Sequence, residues 1–213
     1  MVLATACRLT TLRLSTSLSA AFKVAVKKTV KGIIFNLLET VVTKEYGANT
    51  WDDLLDAAQL DGAFTSLGNY SDADLFKLVG AASTALKLPP EAVVKWFGTR
   101  MLPLLAGHYP QLFTPHKTAR AFILTLNSVI HPEVRKLYPG ADAPDFDFDT
   151  TSPDGLVMHY RSKRKLCALA EGLVEGAAEY YGETVHIHHP ECMCRGAVHC
   201  RLELSFAPKP TGE

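Results

Sequence analysis

The fold of this chain is organised around residues 117–140, with the sequence KTARAFILTLNSVIHPEVRKLYPG. Its apolar residues recur at spacings of three, four and eight, which predicts one apolar face of a single helix. These residues are Phe122, Leu126, Val129 and Leu137. His131 lies at the margin of that face, and Pro132 follows it, so we expect the backbone at His131 to depart from ideal helix. Its imidazole is a core side chain with satisfied nitrogens, a proton-transfer group, or a ligand for iron or zinc.

The composition is that of an ordinary globular protein. The chain has 213 residues, of which 47% are hydrophobic and 21% charged, with a formal net charge of zero. Residues 1–29 contain five basic residues and no acid, which leaves 17 basic against 22 acidic residues, about −5, for the rest. This balance argues against a nucleic-acid partner, and the absence of a long apolar run argues against a membrane span.

Residues 1–29 are rich in arginine, serine and threonine, which is typical of a targeting peptide. A patterned domain begins abruptly after them, so we interpret Val30 as a candidate translation start and residues 1–29 as a mis-assigned or disordered extension. Mass spectrometry of the protein made from its natural gene tests this. We assign residues 30–206 to one domain and residues 207–213 to a tail expected to fray.

The fold class predicted from the pattern is α+β. An N-terminal helical subdomain extends through residue 138, and residues 139–154 have the composition of a linker or edge strand. Residues 155–161, 184–189 and 199–206 read as strands of a small antiparallel sheet. A long helix over residues 163–181, capped by Ser162, packs on that sheet.

Two groups of residues carry chemistry. Tyr160, Ser162 and Arg164 alternate along an extended segment, and two hydroxyls with a guanidinium form a clamp for carboxylates; a strand end with a solvated arginine is the plainer alternative.

The second group is a set of thiols and an imidazole that satisfies tetrahedral zinc with no open position. Its members are Cys167, His189, Cys192 and Cys200, with Cys194, His186, His188 and His199 as possible substitutes. Inert thiols or a disulfide are the alternatives, and a reducing cytoplasm disfavours the disulfide. No phosphate loop, metalloprotease motif or nucleophile elbow occurs in the sequence, so we do not expect an enzyme.

With these residues in view, the chain resembles the heme–nitric oxide/oxygen binding (H-NOX) family, bacterial relatives of the heme domain of soluble guanylate cyclase. The resemblance covers residues 30–206 and is carried by KGIIFNLLE, IHPEVRKLYPG and YRSKR. It implies heme b held between the helical subdomain and the sheet, with His131 as iron ligand. It also implies that Tyr160, Ser162 and Arg164 grip the heme propionates and that Pro144 packs on the porphyrin. The remaining pocket residues implied by the family are Ile34, Leu38, Met101, Leu105, Leu169 and Leu173.

Oxygen-binding members of this family carry a distal tyrosine where this chain has Leu169. The resemblance therefore implies a cytoplasmic ferrous-heme sensor of nitric oxide that excludes oxygen. It also implies signalling by release of the iron–His131 bond to a histidine kinase or to a cyclic-di-GMP synthase or phosphodiesterase. Some bacterial members have a zinc site at the spacing of the Cys/His group, which supports that ligand set and a redox input. The alternative is a zinc-stapled redox-sensing or protein-interaction module without heme.

Overall fold

The computed structural model describes residues 29–151 and 155–210. Within these ranges no helix is both long enough and apolar enough to cross a membrane. The extension proposed for residues 1–29 lies outside the described residues except for Thr29. That residue belongs to the fold, because it begins a strand and pairs with Ser71.

The N-terminal part is a helical layer. Strands β1 and β2 form a short antiparallel pair beside it. The core between the helices is built from Phe35, Trp51, Leu54, Leu75 and Leu78. The elements are β1 (Thr29–Lys31), α1 (Gly32–Tyr46), α2 (Ala48–Ala58), β2 (Asn69–Ser71) and α3 (Asp72–Leu86).

Helix α4 (Pro90–His108) crosses the molecule and packs against α8 (Cys167–Tyr180). Glycines permit this contact. A Cβ on Gly172 would lie 2.0 Å from the carbonyl oxygen of Lys95, and a Cβ on Gly176 would lie 2.7 Å from that of Thr99. The two helix backbones are therefore in direct contact, and a short helix α5 (Pro110–Phe113) follows α4.

The central stretch is not the single helix we predicted. It consists of α6 (Ala119–Ile123), a π-helical turn (Leu126–Ile130) and α7 (His131–Leu137). The amide of Ile130 donates to the carbonyl of Thr125, five residues back, at 3.1 Å. This wider turn shifts the face that follows it. Val129 and Leu137 are consequently 43% and 44% exposed, whereas Phe122 is buried.

The prediction of a distorted backbone at His131 is also wrong. His131 has φ −66° and ψ −37°, which are right-handed helical values. Pro132 sits in the first turn of α7, where a missing N–H costs little because that turn has unpaired donors in any case. The irregularity lies in the π-helical turn before the histidine.

The C-terminal part confirms the α+β class. The antiparallel sheet has the order β3-β4-β6-β5, with β3 (Asp145–Asp149), β4 (Gly155–Arg161), β5 (Glu183–Glu191) and β6 (Cys200–Pro208). β3 is the predicted edge strand. Helix α8 begins at Cys167, four residues later than predicted, because Lys165 has a left-handed φ of 53° and Ser162 bonds the Arg164 amide. The predicted tail is wrong for Ala207 and Pro208, which continue β6; residues 211–213 lie outside the described ranges.

Candidate functional site

A large apolar cavity lies between the helical layer and the sheet. It encloses about 330 Å³, which falls within the range of small-molecule and cofactor sites. Aliphatic side chains of α1, α4 and α8 form one wall, and the π-helical turn and α7 form another. Because nearly all of the lining is apolar, an occupant must be largely hydrophobic, and the few polar groups determine how it is oriented.

His131 is one of those polar groups. As the first residue of α7, it faces the cavity with its ring centroid 5.6 Å from that of Phe146. Burial, with a contribution from Arg135, lowers the pKa of His131 to about 4, so the imidazole is neutral at physiological pH. Its Nδ1 is buried and has no hydrogen-bond partner among the described residues. A neutral imidazole with an unpartnered nitrogen is able to ligate a metal ion.

Tyr160, Ser162 and Arg164 all line the same cavity, which is the convergence that their spacing predicts. Tyr160 is 3% exposed at the end of β4, and burial raises its pKa to about 12, so its hydroxyl keeps its proton. Ser162 and Arg164 lie past the strand, in the turn before α8. They reach the cavity through that turn. The prediction that strand alternation would direct them there was therefore wrong.

Arg164 is held in place by three segments of the chain. Its Nε donates to Asp72 Oδ2 at 2.9 Å and its Nη1 to the carbonyl of Asp142 at 2.8 Å, while Nη2 donates to the carbonyl of Thr29. The Arg164 and Asp72 side chains are each only 10% exposed. The guanidinium therefore sits at the cavity mouth in a fixed orientation, and sequence patterns missed Asp72 because it lies 92 residues away.

Most of the other predicted lining residues are in place. Those that line the cavity are Ile34, Met101, Leu105, Pro144, Leu169 and Leu173. Leu38 is the exception, because it lines a separate apolar cavity of about 30 Å³. The residues that this cavity shares with the main one are Ile34, Leu75, Leu166 and Leu169. Helix α1 directs Leu38 toward α3 and α4, whereas Leu37, the residue before it, lines the main cavity.

Two tyrosines of the cavity wall were not predicted. The hydroxyls of Tyr109 and Tyr138 hydrogen-bond to each other across the cavity lining. Burial and the neighbouring Tyr109 hydroxyl raise the pKa of Tyr138. The pair connects the start of α5 to the end of α7. No spacing in the sequence relates residues 109 and 138, so only the fold reveals this contact.

The predicted thiol and imidazole group forms a second site at the opposite face of α8. Cys167 Sγ lies 3.5 Å from Cys192 Sγ and 3.4 Å from Cys194 Sγ. The donor atoms of His189, Cys192 and Cys200 lie within 4.8 Å of one another. Cys167, Cys192 and Cys200 are buried, and the described cysteines form no disulfide with one another. The fold therefore brings the predicted thiols and imidazole close together, and Cys194 belongs to the same cluster.

A chain of charged groups supports His189. Its Nδ1 lies 2.6 Å from Glu171 Oε1, and Lys95 of α4 reaches both Glu171 and Glu175, at 3.2 and 2.8 Å. Partial burial opposes the charge on Lys95, but its bonds to Glu175 and Glu171 outweigh this effect and raise its pKa. These residues carry no sequence signature, since ion pairs between helices depend on packing alone.

Comparisons with known proteins agree with the fold. The Haem-NO-binding family matches residues 31–189. The structure is similar to that of an H-NOX protein from S. oneidensis in the Fe(II)NO ligation state, with 33% identity, a TM-score of 0.79, and coverage of 84% of this chain and 99% of that one. It is also similar to the IWP-051-bound H-NOX from Shewanella woodyi, with 30% identity, a TM-score of 0.73, and coverage of 86% and 98%.

A more distant similarity links the chain to a larger protein. It is 26% identical over 141 residues to soluble guanylate cyclase gcy-31 of Caenorhabditis elegans, which covers 63% of this chain and 19% of that protein. The chain therefore spans about a fifth of the length of the curated relatives that it matches.

Proposed function

The chain belongs to the Haem-NO-binding, or H-NOX, family of heme gas-sensing domains, and we propose that it is a ferrous-heme sensor of nitric oxide that excludes oxygen. In this proposal it is a regulatory protein and not an enzyme. One observation carries the proposal: a neutral histidine with an unpartnered nitrogen faces an apolar cavity whose mouth holds a fixed arginine.

The residues present fit heme b. His131 would supply a nitrogen ligand for the iron, and the apolar walls, which include Pro144, would suit the porphyrin. Tyr160, Ser162 and Arg164 supply donors for the propionates at the polar mouth. The ion pair with Asp72 keeps the Arg164 guanidinium at the cavity mouth, so that a propionate would share Arg164 with the Asp72 carboxylate. Bound heme would supply a ferrous centre that coordinates a diatomic gas.

Selectivity for nitric oxide follows from the aliphatic wall. The side chains on this wall carry no N–H or O–H group. They are Leu169 and Leu173 of α8 and Met101 and Leu105 of α4. Oxygen on ferrous heme carries partial negative charge and needs a nearby donor, whereas nitric oxide does not, and the polarity of the pocket sets this preference. Tyr109 and Tyr138 also bring hydroxyls to the cavity lining, and these two hydroxyls hydrogen-bond to each other.

The signal leaves the cavity through His131. This residue starts a short helix that follows a π-helical turn, so an imidazole no longer held by the iron would free α7 from one of its anchors. Two arrangements of α7 would then differ in affinity for the ligand, as a signalling equilibrium requires. We propose a histidine kinase or a cyclic-di-GMP synthase or phosphodiesterase as the partner that reads this change.

For the thiol cluster we propose zinc bound by Cys167, His189, Cys192 and Cys200. Three thiolates and one imidazole form a closed tetrahedral site that staples α8 to the β5–β6 hairpin. Burial and the thiols of Cys194 and Cys192 raise the pKa of the Cys167 thiol, which a bound cation would reverse. Closely spaced thiols without a disulfide suit a reducing compartment such as the cytoplasm. Oxidation of the thiolates would release the metal and provide a redox input.

The cluster also supports a second candidate, a zinc-stapled redox-sensing or interaction module that binds no heme. Absorption spectroscopy separates the two. We expect the purified, reduced protein to show a Soret band that shifts on addition of nitric oxide and is unchanged in air. A colourless protein with stoichiometric zinc would support the second candidate, and a Soret band that shifts in air would contradict oxygen exclusion.

A further inference from the structure

The thiol cluster holds five donors where tetrahedral zinc takes four. One subset, Cys167, Cys192 and Cys194, has its sulfurs close together, and another, His189, Cys192 and Cys200, shares Cys192 with it. Proximity alone therefore does not choose between Cys194 and His189 as the fourth ligand. The two candidates differ in exposure, because Cys194 is exposed while the His189 side chain is only 11% exposed.

Glu171 determines how His189 presents its ring. Its Oε1 lies 2.6 Å from His189 Nδ1, so this carboxylate places the imidazole proton on Nδ1 and leaves the lone pair on Nε2. That Nε2 is buried and has no partner within the described part of the chain. A buried nitrogen without a partner is costly, and a cation held with Cys192 and Cys200 would satisfy it.

Glu171 is itself fixed from the other side. Its Oε2 lies 3.2 Å from Lys95 Nζ, and the Glu171 side chain is 19% exposed. Lys95 comes this close because α4 and α8 touch at Gly172, one residue after Glu171. A carboxylate bound on one oxygen by an ammonium and on the other by an imidazole has little freedom to turn away from His189.

We propose that Glu171 is a positioning residue that selects His189 as the fourth zinc ligand and leaves Cys194 as an uncoordinated, solvent-accessible thiol beside the metal. This inference rests on the zinc site of the proposed function. It predicts a ligand set of three thiolates and one imidazole in the intact protein. It also predicts that Cys194 takes the vacated position when the carboxylate is removed, because its sulfur is only 3.4 Å from that of Cys167.

Zinc affinity provides the first test, measured on the full chain by competition with a chromophoric chelator. Glu171→Gln and Glu171→Ala should bind zinc about 10- to 100-fold more weakly, the usual effect of losing a carboxylate partner of a ligating histidine. The matched control is Glu175→Gln, which also loses a Lys95 partner but does not contact His189. Its affinity should equal that of the wild type. Equal affinities for the Glu171 variants and the wild type would overturn the inference.

Residue-resolved alkylation of the zinc-loaded protein provides the second test. Wild-type protein treated with iodoacetamide and digested for mass spectrometry should be modified at Cys194 and protected at Cys167, Cys192 and Cys200. In Glu171→Ala, Cys194 should also be protected from alkylation. When Co²⁺ replaces zinc, this variant should show stronger thiolate-to-metal charge-transfer absorption than the wild type. Substitution Cys194→Ser should leave wild-type zinc affinity unchanged and weaken binding further in the Glu171→Ala background.

The outcomes separate the two proposals. Wild-type protein that binds no stoichiometric zinc would overturn the zinc site and this inference together. Wild-type protein that binds zinc but protects Cys194 would overturn this inference alone. The Glu171→Gln variant keeps the side-chain volume, so a circular dichroism spectrum matching that of the wild type shows that an affinity change does not come from misfolding.

Discussion

The cavity and the thiol cluster lie on two sides of the same helix pair but are built in opposite ways. Leu169 and Leu173 of α8 face the apolar cavity, whereas Cys167 and Glu171 of the same helix face the thiol cluster. The cavity places a small number of polar side chains in a largely apolar wall, so most of the surface of an occupant would meet apolar groups. The cluster connects donors, carboxylates and an ammonium into one network, so its groups act together.

This contrast has a functional consequence. An apolar cavity with a single imidazole ligand can lose that ligand and still hold its occupant, which suits a signalling switch. A cluster with several charged and coordinating groups is not easily lost one ligand at a time, which suits a structural metal site. The following predictions test whether the two sites behave so differently, in order of decreasing expected effect.

Substitution His131→Gly should break the cavity site and spare the cluster. His131 is the only histidine lining the cavity among the described residues, so its loss removes the protein-derived iron ligand altogether. We expect the Soret band of the reduced protein to change and to return to its wild-type position when free imidazole is added. The zinc content should stay at the wild-type value. An unchanged Soret band would mean that another residue ligates the iron.

Substitution Arg164→Ala should have the next largest effect. It leaves the buried Asp72 carboxylate without its ion-pair partner, and removing one member of a buried pair costs about 3–5 kcal/mol of stability. Heme retention should fall as well, because the propionates lose a cationic hydrogen-bond donor. Urea unfolding of the variant measures the first effect and heme titration the second. Asp72→Asn is the complementary variant and should retain more stability, because Arg164 keeps its contacts with Asp142 and with the carbonyl of Thr29.

Substitution Gly172→Ala should disturb both sites at once, because it separates α4 from α8. The new Cβ would lie 2.0 Å from the Lys95 carbonyl oxygen, and such overpacking costs about 1–3 kcal/mol. Gly107→Ala in the partner helix α4 is the control, since a Cβ there meets no described heavy atom within 4 Å. The control should be neutral or slightly stabilising in thermal unfolding. Equal melting temperatures for the two variants would refute direct backbone contact.

Substitution Leu169→Tyr should produce the smallest change and only in the cavity. It introduces one hydroxyl donor into the aliphatic wall, and a single hydrogen bond is worth about 0.5–1.5 kcal/mol. Oxygen affinity should therefore rise by up to about tenfold, measured from absorption spectra under increasing oxygen pressure. Leu169→Phe adds the ring without the hydroxyl and should leave oxygen affinity at the wild-type level. A similar gain in both variants would point to cavity shape as the cause.

Sequence reasoning located the residues of each site but not their supporting contacts. The α+β class and the edge strand follow from periodicity and composition. Tyr160, Ser162 and Arg164 converge as predicted, but through the turn that follows β4 and not through strand alternation. The prediction of a single central helix was wrong, and Leu38 lines the small neighbouring cavity and not the main one. One extra residue in the π-helical turn, or a step of one residue along α1, changes which way a side chain points. Apolar residues give no local signal of that change.

The amino-acid sequence by itself determined which chemical groups this protein possesses: a histidine in an apolar helical stretch, a hydroxyl and guanidinium clamp, and a cluster of thiols with an imidazole. Local patterns also determined where helices give way to strands, because side-chain period is a short-range property. Only the tertiary structure decided how those groups are oriented. The bonds from Asp72 to Arg164 and from Glu171 to His189 join segments 92 and 18 residues apart, and they exist because packing brings helices and strands together.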